Sequence, residues 1–394
     1  MLNQDTLREA TRLTHAGQLG EATALLQRML RGERTPEATR SPRRVSLPGR
    51  EPPTFDAKAN DVEDTGSADP KPATTVPTRR PLPLFHRAKD GSWLGTRGAK
   101  RTPPSMADIV PEGAKFIEGT YSNSLGSRSY KLFVPSGYQG QPLPLVVMLH
   151  GCTQSPDDFA AGTRMNFLAE EQNCLVVYPE QPSGANQAKC WNWFRTGDQR
   201  RGGGEPSLIA GITRQIMRDH AIDPKRVYVA GLSAGGAAAA IMGATYADLY
   251  ASVGIHSGLA CGAASDLPSA FVAMRQGNGS EAIRKTGSPV PTIVFHGDRD
   301  TTVHPNNGDR ILEQSAKATS PTAKTLRGRV PDGHAYTRTI LTDAGGRAIS
   351  EHWNIHGAGH AWSGGSPAGS YTDPRGPDAT REMLRFFLEH SLGA

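Results

Sequence analysis

The stretch Arg226-Val227-Tyr228-Val229-Ala230-Gly231-Leu232-Ser233-Ala234-Gly235-Gly236 limits what this chain can fold into more than any other. A β-branched and aromatic run of the kind that forms a buried strand enters a tight turn framed by glycine. An alanine-rich helix is predicted to follow, from about Ala237 to Tyr246. The pattern G-x-S-x-G sets Ser233 at the tip of a strand–turn–helix elbow. Gly231 and Gly235 carry no side chains where strand and helix converge, so the serine can stand strained and exposed above a sheet. Five residues of this kind recur by chance in a chain with 44 glycines, and it is the flanking strand and helix that give them weight.

A hydroxyl needs a base to act as a nucleophile, and the base needs a carboxylate to orient it. On a strand–elbow–helix scaffold the order is serine, acid, histidine, each on a loop at the carboxyl end of a strand. The predicted strand Thr292–Phe295 runs into His296-Gly297-Asp298-Arg299-Asp300-Thr301-Thr302-Val303, where two acids compete. Asp300 is the better orienter, because its spacing sets it beyond the strand end, whereas Asp298 is placed to cap the turn. The predicted strand His352–His356 runs into Gly357-Ala358-Gly359-His360-Ala361-Trp362. His360, on a glycine-flanked loop, is the candidate base. His352 and His356 alternate with Trp353 and Ile355 on the strand itself and read as structural. A fourth requirement is an oxyanion hole. The strand Leu145–Leu149 ends in His150-Gly151-Cys152-Thr153-Gln154, so the backbone N–H groups of Cys152 and Ala234 are expected to face the developing oxyanion.

The remainder of the C-terminal portion supports an α/β class. Lys115–Tyr121 and Tyr130–Pro135 alternate like an opening antiparallel pair, while Pro144–His150 and Cys174–Tyr178 are continuous apolar runs suited to strands covered on both faces. A helix is expected over Ser155–Glu170, a second opens at Gly204-Glu205-Pro206-Ser207, and a closing helix falls near Asp378–His390. Further strands are expected at Ala251–His256 and Pro291–His296. This alternation predicts an open α/β arrangement over 105–394, a mostly parallel central sheet flanked by helices.

Ahead of it, residues 1–31 read as a small helical hairpin, either an amphipathic extension or a contact for a protein partner. Residues 32–104, with 12 prolines and little apolar periodicity, read as a disordered Pro/Arg-rich linker. The charge belongs to that linker: it holds 14 Lys/Arg against 9 Asp/Glu, whereas 105–394 hold 26 of each, so the pI near 9.2 does not argue for nucleic-acid binding. No run approaches a membrane span, and Met1-Leu2-Asn3-Gln4-Asp5 lacks a basic segment followed by an apolar one, which gives a cytoplasmic expectation. The histidines lack metal-ligand spacing, the four cysteines lack C-x-x-C pairs, and neither a metal nor a cofactor is expected. Cys174 reads as core; Cys152 and Cys190 are candidates for a bridge that spacing alone does not decide.

His-Gly-Cys-Thr-Gln (150–154), Tyr-Pro-Glu-Gln (178–181), Cys-Trp-Asn-Trp-Phe (190–194), Gly-Glu-Pro (204–206), Gly-Leu-Ser-Ala-Gly-Gly (231–236) and Gly-x-Gly-His-Ala-Trp (357–362) occur in one order. Together they resemble the polyhydroxybutyrate (PHB) depolymerase family of esterases, which is itself similar to bacterial feruloyl and acetylxylan esterases. The resemblance covers roughly residues 110–390. It implies an α/β-hydrolase fold and a cofactor-free serine carboxylesterase with Ser233 as nucleophile, Asp300 as orienter and His360 as base. Short 3-hydroxyalkanoate oligomers or small esters are the implied substrates, with a feruloyl- or acetyl-carbohydrate ester as the alternative. A hydrolase-fold scaffold, or an acyltransferase or thioesterase using the same three residues, are the other readings. Trp191, Trp193 and Trp362 flank the motifs and are candidate walls of an apolar substrate cleft, with packing as the competing role.

Overall fold

A computed structural model describes residues 103–277, 290–316 and 321–393. The hairpin expected over 1–31, and all but the last two residues of the expected linker, lie outside these. The chain divides into two units, Met1–Ala99 and Lys100–Ala394, and the second carries the fold.

A short helix, α1 (Met106–Ile109), precedes the hairpin β1 (Lys115–Asn123) and β2 (Gly126–Val134). There follow β3 (Leu143–Leu149), α2 (Pro156–Thr163), α3 (Met165–Gln172), β4 (Leu175–Pro179), α4 (Gly204–Asp219), β5 (Ile222–Leu232), α5 (Ala234–Thr245), β6 (Ser252–His256), α6 (Leu267–Gln276), β7 (Thr292–Gly297) and α7 (Asn306–Ala316). The chain closes with β8 (Thr322–Arg329), β9 (Ala335–Thr342), β10 (Ala348–His356), the short pair β11 (Trp362–Ser363) and β12 (Thr372–Asp373), and α8 (Ala379–Leu388). Ten strands form one sheet in the order β1-β2-β4-β3-β5-β6-β7-β10-β9-β8. Pairing is parallel from β4 through β10 and antiparallel at both flanks.

The period of two along the central strands divides the core in two. Leu145, Val147 and Leu149 of β3 point to one face with Val227 and Val229 of β5. Val146 and Met148 point to the other, with Tyr228 and Ala230. The first face is covered by α4 and α5 through residues such as Ile209, Ile212 and Ala237, the second by α2, α3 and α8 through Phe159, Met165, Met383 and Phe387. Each fully buried branched or aromatic side chain contributes about 1.5–3 kcal/mol. That explains why β3 and β4 read as unbroken apolar runs.

Several features depart from the sequence expectation. The helix expected over Ser155–Glu170 is two helices, because Arg164 adopts a left-handed conformation (φ 56°) that ends α2 and starts α3. The antiparallel β8–β9 hairpin, which extends the sheet beyond β10, has no counterpart in that expectation. Its strand β8 is almost wholly exposed and lacks the alternation that marks a half-buried strand. The helix after the elbow begins at Ala234, three residues earlier than predicted.

Candidate active site

Adjacent strands end in step. Leu232 of β5 pairs with His256 of β6, His256 with Phe295 of β7, and Ile355 of β10 with Gly297. Ser233, Asp300 and His360 therefore leave the sheet at the same, carboxyl, edge within a few residues of their strand ends. In an open α/β sheet this edge is where ligands bind.

Ser233 has φ 57° and ψ −118°, a region that side chains rarely enter, and it heads α5 without using its side chain to cap it. Its N–H donates to His256 O at 2.9 Å. The glycines beside it are sterically required. A Cβ on Gly235 would overlap Leu149 O, and one on Gly231 would overlap the Gly235 carbonyl.

His360 Nδ1 lies 2.7 Å from Asp300 Oδ2. Asp300 is buried, and its other oxygen accepts the N–H groups of Thr302 and Val303, both at 2.9 Å. Burial by itself raises the Asp300 carboxyl. Hydrogen bonds from His296 and His360, and the charge of those rings, outweigh it and hold the group well below the usual carboxylate range. The carboxylate thus fixes the proton of His360 on Nδ1 and leaves Nε2 as the acceptor. The competing acid, Asp298, is occupied elsewhere. It accepts Gly357 N–H at 2.7 Å and sits 3.0 Å from His356 Nδ1, on a partly exposed rim. The loops that carry Asp300 and His360 are joined by their backbones as well: Asp298 N–H and Arg299 N–H donate to Ile355 O and Ala358 O, each at 3.0 Å.

Cys152 and Ala234 follow β3 and β5, which are hydrogen-bonded neighbours. Their N–H groups have no acceptor within the described residues, as an oxyanion hole requires. The cysteine pairing left open by the sequence is settled, since Cys152 is bonded to Cys190. Cys174 and Cys261 are free, the former buried as expected. Reducing this bridge, or replacing both residues by serine, is expected to lower kcat about tenfold or more by freeing the Cys152 loop. Steady-state rates set against a thiol titration will check this, and full activity in the bridge-free protein would contradict it.

The tryptophans require a correction. Trp191, Trp193 and Trp362 are 0%, 6% and 1% exposed, so they do not wall an open cleft. The Trp191 indole N–H donates to His150 O at 3.1 Å, and that of Trp362 to Thr380 Oγ1 at 2.9 Å. Trp362 also packs edge-on against Phe159 and stacks on His256, while Trp193 meets Phe194 edge-on. An indole N–H needs a partner once buried, and in the first two it ties a site loop to the core.

Three histidines behind the site escaped the sequence reading. His296 touches Asp300 (Nε2–Oδ2 3.5 Å) and bonds Val303 O at 2.8 Å. His150 Nε2 accepts Gln181 N–H at 3.1 Å, and His256 Nε2 accepts Ser363 N–H at 2.9 Å. Each of these three lies at or next to the carboxyl end of a strand, which is the only signal the sequence offered. A ring nitrogen that accepts a backbone N–H is unprotonated, and burial brings His150 down to about 4 and His256 down to about 3 from 6.5. The unfolded chain therefore gains a proton at each as pH drops below 6.5, whereas the fold stays neutral until about 4 and 3. Stability is full above pH 6.5 and declines below it, by at most roughly 1.4 kcal/mol per pH unit per histidine. Urea unfolding between about pH 7 and pH 4.5 will read this slope; a flat profile would refute it.

Among the described residues no group of three or more His, Cys, Asp or Glu is arranged to hold a metal ion, and no helix is long and apolar enough to cross a membrane.

A serine on a strained elbow, a histidine–carboxylate pair and two free N–H groups, aligned at the carboxyl edge of this sheet, define an α/β hydrolase. An acetyl xylan esterase from Aspergillus awamori shares the fold, with a TM-score of 0.55 and 20% identity over 70% of this chain and 99% of that one. The chain belongs to the esterase PHB depolymerase family, which matches residues 128–328. That segment holds Ser233 and Asp300 and stops short of His360. A poly(3-hydroxyalkanoate) depolymerase C from Paucimonas lemoignei is 35% identical over 58% of this chain and 56% of its own length. A probable acetylxylan esterase A from Aspergillus clavatus is 28% identical over 47% and 64% respectively. The chain thus spans about half to two thirds of the length of these curated relatives.

Proposed function

We propose that the protein is a serine carboxylesterase that hydrolyses short 3-hydroxyalkanoate oligomers or small esters through an acyl-enzyme. The observation that carries this is the 2.7 Å bond from His360 Nδ1 to the buried Asp300, on the same sheet edge as Ser233. In this reading His360 Nε2 takes the Ser233 proton as Oγ attacks the ester carbonyl. The N–H groups of Cys152 and Ala234 receive the oxyanion, and the proton passes to the departing alcohol. Water activated by His360 then attacks the acyl-enzyme and releases the acid. The poly(3-hydroxyalkanoate) depolymerase relative supports an oligomeric 3-hydroxyalkanoate, and the acetylxylan esterase relative, with a feruloyl esterase B from Thermothelomyces thermophilus at 26% identity, supports an acetylated or feruloylated carbohydrate as the second reading. The assembled His360–Asp300 pair and the strained Ser233 weigh against a scaffold that lost its chemistry.

The Cys152–Cys190 bridge supports action in an oxidising compartment, against the cytoplasmic expectation drawn from the first residues. Hydrolysis of p-nitrophenyl acetate, butyrate and octanoate, 3-hydroxybutyrate oligomers, methyl ferulate and acetylated xylan by the purified protein tests the reading. Labelling with a fluorophosphonate, mapped by mass spectrometry, is expected to fall on Ser233. A protein inert toward all of these and unlabelled at Ser233 would overturn it.

A further inference from the structure

Four of the sequence motifs converge on one buried polar network that none of the steps above uses. We propose that Glu205 is a positioning residue for the oxyanion hole, acting through the Ala188–Asn192 segment that braces the Cys152 loop. The inference rests on the esterase reading and deepens it.

Glu205 is 6% exposed at the start of α4, and its N–H is anchored to Asp198 Oδ1 at 2.7 Å. The hydrogen-bond partners of its carboxylate are all donors, while the Asp198 carboxylate acts on it only as a like charge. Oε2 accepts Asn192 N–H at 2.7 Å, and Oε1 accepts the side-chain amides of Asn192 at 2.6 Å and Gln181 at 2.5 Å. The Arg128 guanidinium is 3.6 Å from Oε1 and also donates to Gln181 Oε1 at 3.0 Å. Gln181 in turn donates its amide to Cys190 O at 2.9 Å and its backbone N–H to His150 Nε2.

The segment held in this way reaches the oxyanion loop at three points. Cys190 is bonded to Cys152, the Trp191 indole donates to His150 O, and Ala188 O accepts Thr153 N–H at 2.7 Å. Glu205 touches no reacting atom. It fixes the brace, and the brace fixes the loop. A carboxylate is the group that can accept from all of these donors at once, whereas an amide in its place turns an NH2 toward at least one N–H. Burial, with the neighbouring Asp198 charge, raises the Glu205 carboxyl above its ordinary value, and the bonds from Asn192 and Gln181 counter this only in part.

An oxyanion hole binds the transition state more tightly than the substrate, so loosening it is read in kcat rather than KM. Glu205→Gln is expected to lower kcat on p-nitrophenyl butyrate by about 10- to 100-fold, with KM changed by less than about threefold. Affinity for an aryl trifluoromethyl ketone, whose adduct places an oxyanion in the hole, is expected to fall by the same factor. Wild-type kcat in this variant would overturn the proposal. So would a lowered kcat with undiminished ketone affinity, because a structural defect alone would not follow the oxyanion. If Glu205→Gln does not fold, Asn192→Ser, which removes one donor, is expected to show a smaller effect of the same pattern, and its absence would count equally against the proposal. Turnover by the wild type that is lost in Ser233→Ala tests the esterase reading separately. A wild type inert on all esters would sink both.

Discussion

Replacing Ser233 by alanine is expected to lower kcat/KM by at least about 10⁴-fold. The substitution removes Oγ, the one atom that would bond the acyl group, and leaves the surroundings in place. Alanine loses no cap, because the serine side chain does not cap α5. The backbone bond from residue 233 to His256 O is independent of the side chain. The elbow's strained φ of 57° is tolerated no better by alanine than by serine, so the stability of the variant should stay near that of the wild type. Any residual turnover would come from the oxyanion hole and substrate positioning. Rates on p-nitrophenyl butyrate, with thermal unfolding alongside, separate lost chemistry from lost fold. A Ser233→Ala variant that retains about a tenth of wild-type activity would mean that the nucleophile lies elsewhere.

The second large effect distinguishes two neighbouring acids. Asp300→Asn is expected to lower kcat by about 10³- to 10⁴-fold, and Asp298→Asn by less than about tenfold. Oδ1 of Asp300 accepts two backbone N–H groups, so an asparagine keeps its carbonyl on that side and turns its NH2 toward His360. His360 Nδ1 must then accept, its proton moves to Nε2, and the ring can no longer receive the serine proton. Asp298 instead serves Gly357 and His356 at a half-exposed rim, where the loss of a charge is screened. The opposite ranking would transfer the orienting role to Asp298.

Much of this site was legible because its chemistry depends on local backbone geometry. The elbow needs Gly231 and Gly235 for steric reasons that survive translation into sequence. Asp300 and His360 each follow a predicted strand by a few residues, which is enough to place them at one edge once the strands are known to run parallel. What was not legible depends on contacts between distant segments. Nothing near Cys152 or Cys190 states that they meet. The indole of Trp191 looks the same in sequence whether it lines a cleft or reaches back to His150 O. Gly204-Glu205-Pro206 reads as a helix start, and only the fold shows that Glu205 faces Gln181 and Asn192. The split at Arg164 was hidden because a left-handed arginine leaves no compositional mark. The β8–β9 hairpin was missed for a different reason, since its register against β10 is set by backbone pairing and by buried Leu341 rather than by its own apolar pattern.

That hairpin bears on how the molecule behaves among its own copies. Among the described residues β8 is paired only with β9 and leaves one ladder of backbone groups open at the end of a ten-stranded sheet. Such a rim invites a second sheet to continue it. Between Thr322 and Arg329 the strand carries Lys324, Arg327 and Arg329 and no acid. Two copies meeting rim to rim would bring three cations against three cations. The positive charge along this rim therefore discourages end-to-end sheet growth, and replacing all three with threonine would favour it.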